Sequence, residues 1–133
     1  MKLQIKTKRL LIVEDDPSLS RVLSFLLVRD DLEITTTPSV FSAINLCQFQ
    51  QPDLIVLDLS LIDGEGYQVI EWLQSNAKEP FPSIIIYTAR DITTSELIQF
   101  QPIVDHIFTK SRIDPCDFQQ TVFGLLDKTN LVA

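Results

Sequence analysis

The sequence predicts a single doubly wound α/β domain, a parallel sheet with helices on both faces. Three observations carry this. Short apolar runs and segments of helical periodicity alternate five times, joined by short connections, which is the pattern of repeated strand–helix units. The chain has 133 residues, the length of one domain, and 45% of them are apolar, enough to bury roughly two-thirds of the unfolded surface around one core. No internal repeat, low-complexity stretch or linker divides it.

Residues 1–9 read as an extension leading into a first strand, Leu10-Leu11-Ile12-Val13. That strand stops at Glu14-Asp15-Asp16-Pro17. Aspartate followed by proline suits an N-cap and a first helical position, where a missing N–H costs nothing. Leu19, Val22, Leu23, Leu26 and Leu27 then recur at helical spacing, and Arg29-Asp30-Asp31 ends the pattern. Leu32 to Thr37 is β-branched and alternates weakly, as a strand near a sheet edge does. Pro38-Ser39 opens a second helix with Val40, Phe41, Ile44 and Leu46 on one face, closed between Gln48 and Pro52.

Leu54-Ile55-Val56-Leu57 is a strand buried on both faces, and it delivers Asp58 into the loop Leu59 to Gly66. Tyr67, Ile70, Trp72 and Leu73 mark a third helix, and Ser83 to Thr88 a fourth strand. Asp91 to Gln101 is a weaker helix, since its Thr, Ser and Gln residues are poor helix formers; mobility or a partner is expected there. Ile103 to Thr109 is the fifth strand, ending at Lys110. Asp114-Pro115 repeats the cap-and-proline signal before a last helix with Phe118, Val122, Leu125 and Leu126 on one face.

Composition narrows the function. The formal net charge is −7, and nucleic-acid affinity rests mainly on Lys and Arg neutralising phosphates, so a cation or a basic partner surface is the better match. Cys47 and Cys116 fit no CxxC or zinc spacing and read as free thiols in a reducing cytosol. The basic N-terminus is followed by too short an apolar run for a signal peptide, and no run is long enough to span a membrane. A cytoplasmic location is expected. Gly64, Gly66 and Gly124, the chain's three glycines, form no phosphate-cradling motif.

Ligands of parallel α/β sheets bind at the carboxyl ends of the strands. Four of the five expected strands end there in residues able to do chemistry: Glu14 and Asp15, Asp58, Thr88 and Lys110. Asp58 alone could equally start a turn or cap a helix; the convergence is what favours a site. Three carboxylates on one rim repel by about 4 kcal/mol per close pair at a surface-like dielectric, and a hard divalent cation removes that repulsion. Mg²⁺ favours carboxylates, waters and a phosphate oxygen. With a fixed positive charge from Lys110 and a hydroxyl from Thr88, the set suits a phosphoryl group.

At these residues the chain resembles the receiver domain of two-component response regulators, from about Leu10 to Leu126. The resemblance rests on Val13-Glu14-Asp15-Asp16-Pro17, Leu57-Asp58, Thr88-Ala89 and Lys110, with Asp15, Asp58, Thr88 and Lys110 separated by 43, 30 and 22 residues. Gly66, eight after Asp58, also stands where the family has glycine. The resemblance implies a flavodoxin-like five-stranded parallel sheet of order 2-1-3-4-5, a receiver-like domain over residues 10–128 and a C-terminal tail over 129–133. It implies that Asp58 is the phospho-acceptor, taking a phosphoryl group from a sensor histidine kinase or histidine phosphotransfer protein. Glu14, Asp15, Asp58 and the Ser60 carbonyl would bind Mg²⁺, Glu14 largely through water. Lys110 and Thr88 would contact the phosphoryl group, and Ser60, Arg90 and Ile107 would modulate lifetime or switching. Such a chain turns over no separate substrate, only its own phosphorylation and dephosphorylation.

The sequence departs from the family at three positions. Ile62 stands where proline is usual, Ser111 follows Lys110 where proline is usual, and Ile107 replaces the aromatic that reports the state of Thr88. Ser111 predicts a looser Lys110 loop, and Ile107 weakens the usual threonine–aromatic coupling. Phe108 reads as a buried strand residue, Asp16 as a helix cap, His106 as an ordinary partly exposed side chain and Trp72 as amphipathic packing.

Two further functions compete with a phosphorylated switch. A receiver-like interaction module that is never phosphorylated has no reason to keep the acid cluster with its paired lysine. A hydrolase with Asp58 as nucleophile lacks the D-x-D pattern, Ser60 standing in place of the second acid. The leading expectation is a phosphorylation-controlled signalling switch that binds a protein partner through its fourth helix, fifth strand and fifth helix, with no direct contact to nucleic acid or membrane. A single-domain protein and the N-terminal part of a longer regulator are equally consistent with it.

Overall fold

The computed structural model describes residues 6–128; residues 1–5 of the expected extension and the expected tail, 129–133, lie outside them. In chain order come β1 (Lys8–Val13), α1 (Pro17–Leu26), β2 (Leu32–Thr37), α2 (Val40–Phe49), β3 (Leu54–Leu57), β4 (Ser60–Leu61), β5 (Gly64–Glu65), α3 (Tyr67–Asn76), β6 (Ser83–Thr88), α4 (Thr94–Phe100), β7 (His106–Thr109), a 3-10 turn at Lys110–Arg112, and α5 (Pro115–Lys128). β4 and β5 pair antiparallel in a small hairpin that sequence patterning did not anticipate. The other strands form one parallel sheet in the order β2-β1-β3-β6-β7. Leaving the hairpin aside, that is the expected 2-1-3-4-5 order.

The apolar runs are buried on both faces because successive side chains of a strand point to opposite sides of the sheet. Leu11, Val13, Ile55, Leu57, Ile84 and Ile86 join one core layer, with Ala43 and Cys47 of α2 and Val69 and Leu73 of α3. Leu10, Ile12, Leu54, Val56, Ile85 and Tyr87 point the other way, onto Leu23 of α1 and Phe118 and Val122 of α5. Asp16 caps α1 as expected, its Oδ1 accepting from the Ser18 and Leu19 amides at 2.9 and 3.3 Å.

The structure differs from the sequence expectation at several element edges. β1 begins at Lys8, two residues before the expected start, because Lys8 and Arg9 continue the ladder opposite Leu32 and Glu33. Lys8 is buried, and its ammonium is satisfied by the Leu126 carbonyl at 2.8 Å and Asp127 at 3.1 Å, which is what makes a buried lysine tolerable. The fourth helix starts at Thr94, not Asp91, because Thr93 and Glu96 close a reciprocal capping box there. β7 starts at His106, not Ile103, because the Ile103 and Val104 amides are taken by the Phe100 carbonyl. Val22 and Phe41, assigned by spacing to core-facing stripes, are 54% and 71% exposed.

Candidate functional site

The register of the sheet brings the acids together. One residue beyond β1, the Glu14 amide donates to the Thr37 carbonyl at 3.0 Å, and one beyond β3 the Asp58 amide donates to the Val13 carbonyl at 3.0 Å. These bonds extend the ladder past the strand ends and hold Glu14, Asp15 and Asp58 on one rim. Carboxylate oxygens of the three lie within 4.8 Å of one another, with Glu14 and Asp58 buried and Asp15 partly so. From the end of β7, Lys110 Nζ bonds Glu14 Oε1 and donates to Asp58 Oδ2 at 3.0 Å. It also stands 5.6 Å from the centre of the Tyr87 ring. A cavity of about 200 Å³ opens beside the acids, lined in part by Ser20, Thr36 and Thr37.

Burial raises one acid of this cluster. It lifts the Glu14 carboxyl out of the ordinary range to about 7, helped by the bond to Asp58 and opposed by Lys110. Burial would lower Lys110, but its bonds to Glu14 and Asp58 outweigh that and raise it. Three hard oxygen donors gathered around one lysine fit a small divalent cation of the Mg²⁺ type, whose charge would offset the repulsion that burial intensifies.

Around this centre the loops are tied to the frame. The Ser60 amide donates to Asp58 Oδ1 at 3.3 Å, so β4 follows directly from the buried aspartate. Gly66 is required by close approach: a Cβ there would lie 2.1 Å from the Asp58 carbonyl oxygen. Asp63, at the hairpin, accepts from the Val40 and Phe41 amides at 2.8 and 3.0 Å, which holds its carboxyl below the usual range. Thr88 is fully buried at the end of β6, and its hydroxyl accepts from the Arg90 amide at 3.4 Å. The Arg90 guanidinium bonds Glu96 and Glu65. Sequence reasoning missed Asp63, Glu65 and Glu96, although the Thr93-x-x-Glu96 spacing of a capping box was there to be read.

Comparison with known proteins decides the family. A family model for the response regulator receiver domain matches residues 10–116. The chain is a member of that family. It is 32% identical over 115 residues to the protein named "Probable transcriptional regulatory protein TcrX" of Mycobacterium tuberculosis, covering 86% of this chain and 47% of that one. To the alkaline phosphatase synthesis transcriptional regulatory protein PhoP of Bacillus subtilis it is 28% identical over 126 residues, 95% of this chain and 51% of that one. The chain thus spans about half the length of these curated relatives. A crystal structure of a signal receiver domain from Vibrio parahaemolyticus superposes with a TM-score of 0.83, at 26% identity and 94% coverage of both chains.

Receiver domains are signalling domains of two-component systems, and the family's departures in this one can now be located. Ile62 is 70% exposed in the turn of the β4–β5 hairpin. Ser111 lies inside the 3-10 turn that Lys110 begins. Ile107 is partly buried against the layer of α2 and α3, while Phe108 points to the opposite layer, its ring 5.4 Å from Phe118 and 4.3 Å from exposed His106. Trp72 packs on the core. Both cysteines are free, Cys47 buried and Cys116 exposed. Among the described residues no helix is long and apolar enough to cross a membrane.

Proposed function

We propose that this receiver domain is a phosphorylation-controlled switch whose acceptor is Asp58. An Asp58 oxygen attacks the phosphorus of a phosphohistidine on a sensor histidine kinase or histidine phosphotransfer protein. The P–O bond forms as the P–N bond breaks, and the imidazole leaves with the proton it carries. Glu14, Asp15, Asp58 and the Ser60 carbonyl would hold Mg²⁺, which when bound neutralises charge on the phosphoryl oxygens. Lys110, already on the acceptor carboxylate, pairs with the phosphoryl group, and the Thr88 hydroxyl turns toward it. Ser60 and Arg90, two residues after the acceptor and the threonine, set access of water and hence lifetime, and Ile107 tunes the response of Thr88. The domain catalyses only its own phosphorylation and dephosphorylation.

The observation that carries this reading is the buried Asp58 carboxylate, held by Lys110 and flanked by two further acids within 4.8 Å. A scaffold gains nothing from such a cluster, whose mutual repulsion must be offset. Output passes to a protein partner through α4, β7 and α5, where Leu97 and Ile98 are 45% and 66% exposed. The net charge of −7 argues that this domain does not itself grip nucleic acid. The transcriptional role in the names of TcrX and PhoP would then reach DNA through some other part of a regulator. The setting is cytoplasmic.

Intact-mass spectrometry after incubation with Mg²⁺ and acetyl phosphate tests the reading. One phosphoryl group gained by the parent, absent without Mg²⁺ and absent in Asp58→Asn, is the expected result. No gain from acetyl phosphate or from a phosphorylated histidine partner would overturn it.

A further inference from the structure

Arg90 is not a free surface side chain. Its Nη1 and Nη2 meet Glu96 Oε1 and Oε2 at 2.9 and 2.8 Å, a two-pronged pair, and Nη2 also reaches Glu65 at 3.4 Å. Its backbone amide donates to the Thr88 hydroxyl. Glu96 carries a second duty: its Oε1 accepts from the Thr93 amide at 3.1 Å, while the Thr93 hydroxyl accepts from the Glu96 amide at 3.1 Å. One carboxylate therefore closes the first turn of α4 and grips the guanidinium.

Glu65 leads back to the acceptor. It pairs across the hairpin with Ser60, whose amide bonds Asp58. Contacts thus run unbroken from Asp58 through Ser60, Glu65 and Arg90 to Glu96 and α4, and a second branch enters from Thr88 through the Arg90 amide. A planar guanidinium held at two points by Glu96 and at one by Glu65 transmits displacement better than a flexible ammonium would. Ile107 offers no polar atom to Thr88 and packs in the apolar layer. Arg90 is the polar group that joins the two loops flanking the site.

Resting on the reading of Asp58 as phospho-acceptor, we infer that Glu96 is a positioning residue: by holding Arg90 it couples the Asp58 and Thr88 loops to the first turn of α4. A phosphoryl group on Asp58 adds negative charge to the rim and competes with the two glutamates for the guanidinium, so the tie to α4 changes when the site is loaded.

Two variants separate this coupling from simple helix capping. Glu96→Gln keeps a side chain that can complete a capping box but loses the charged two-pronged hold on Arg90. Thr93→Ala weakens the cap and leaves the Arg90–Glu96 pair. Parent and variants are incubated with Mg²⁺ and acetyl phosphate, then followed by intact mass and by amide hydrogen exchange over α4. All three should gain one phosphoryl group. Exchange in the first turn of α4 should change by about threefold or more on phosphorylation in the parent and in Thr93→Ala, and change little in Glu96→Gln. The same change in Glu96→Gln as in the parent, or a parent that is phosphorylated with α4 unaffected, overturns the coupling. A parent that takes up no phosphoryl group from acetyl phosphate, nor from a phosphorylated histidine partner, overturns the reading of Asp58 itself.

Discussion

Lys110 donates to Asp58 across 3.0 Å, joining the end of β7 to the end of β3, with Glu14 on the same ammonium. The lysine thereby offsets charge on acids that burial would otherwise make costly. Lys110→Met should lower stability by about 1–3 kcal/mol near neutral pH, the usual cost of leaving buried acceptors without a donor. Millimolar-range Mg²⁺ should recover part of that loss. Thermal melts with and without Mg²⁺ check both statements, and an unchanged melting temperature would contradict the first.

The raised Glu14 carboxyl would make Mg²⁺ binding at the proposed site pH-dependent. Its folded value, about 7, lies above the ordinary 4.5, so in the metal-free protein the folded state keeps a proton that the unfolded state releases. Its contribution to stability is therefore full below about 4.5 and is lost as pH rises toward about 7. Mg²⁺ held there as proposed would have to displace the same proton. Mg²⁺ affinity should rise between about pH 6 and about pH 8 in calorimetric titrations, and Glu14→Gln should flatten that dependence.

Two glycines should respond to alanine with opposite signs. At Gly66 a Cβ would meet the Asp58 carbonyl oxygen at 2.1 Å, and at Gly124, inside α5, it would meet nothing within 4 Å. Gly66→Ala should cost about 1–3 kcal/mol by forcing the backbone to move and should slow phosphoryl uptake. Gly124→Ala should stabilise by roughly 0.5–1 kcal/mol through helix propensity alone. Denaturant titration of the two variants reads the signs directly.

The two thiols should differ in reactivity. Cys47 is buried between α2 and the sheet, and burial pushes it up to about 11, whereas Cys116 is exposed in the first turn of α5. Alkylation of the native protein should label Cys116 and spare Cys47 until the domain unfolds. Equal native labelling of both would mean that the α2 layer opens readily.

The sequence by itself determined the sheet and the chemical centre. Leu10–Val13, Leu54–Leu57 and Ile84–Tyr87 are apolar at successive positions, as a short strand covered on both faces requires, and residues able to do chemistry stand where those runs stop. Parallel pairing then puts the ends of those runs on one rim, so the gathering of Glu14, Asp15 and Asp58 was legible in the sequence.

Tertiary structure decided the rest. Which apolar residues of an amphipathic helix stay outside depends on how the helix is rolled against the sheet, so Val22 and Phe41 could not be placed by spacing alone. The partners of Arg90 and Asp63 depended on a hairpin too short to leave a strand signature. A charged side chain with several opposite charges within reach in sequence is assigned only when packing fixes which of them it meets. Arg90 meets Glu96 six residues on and Glu65 twenty-five residues back because the hairpin and α4 converge there in space.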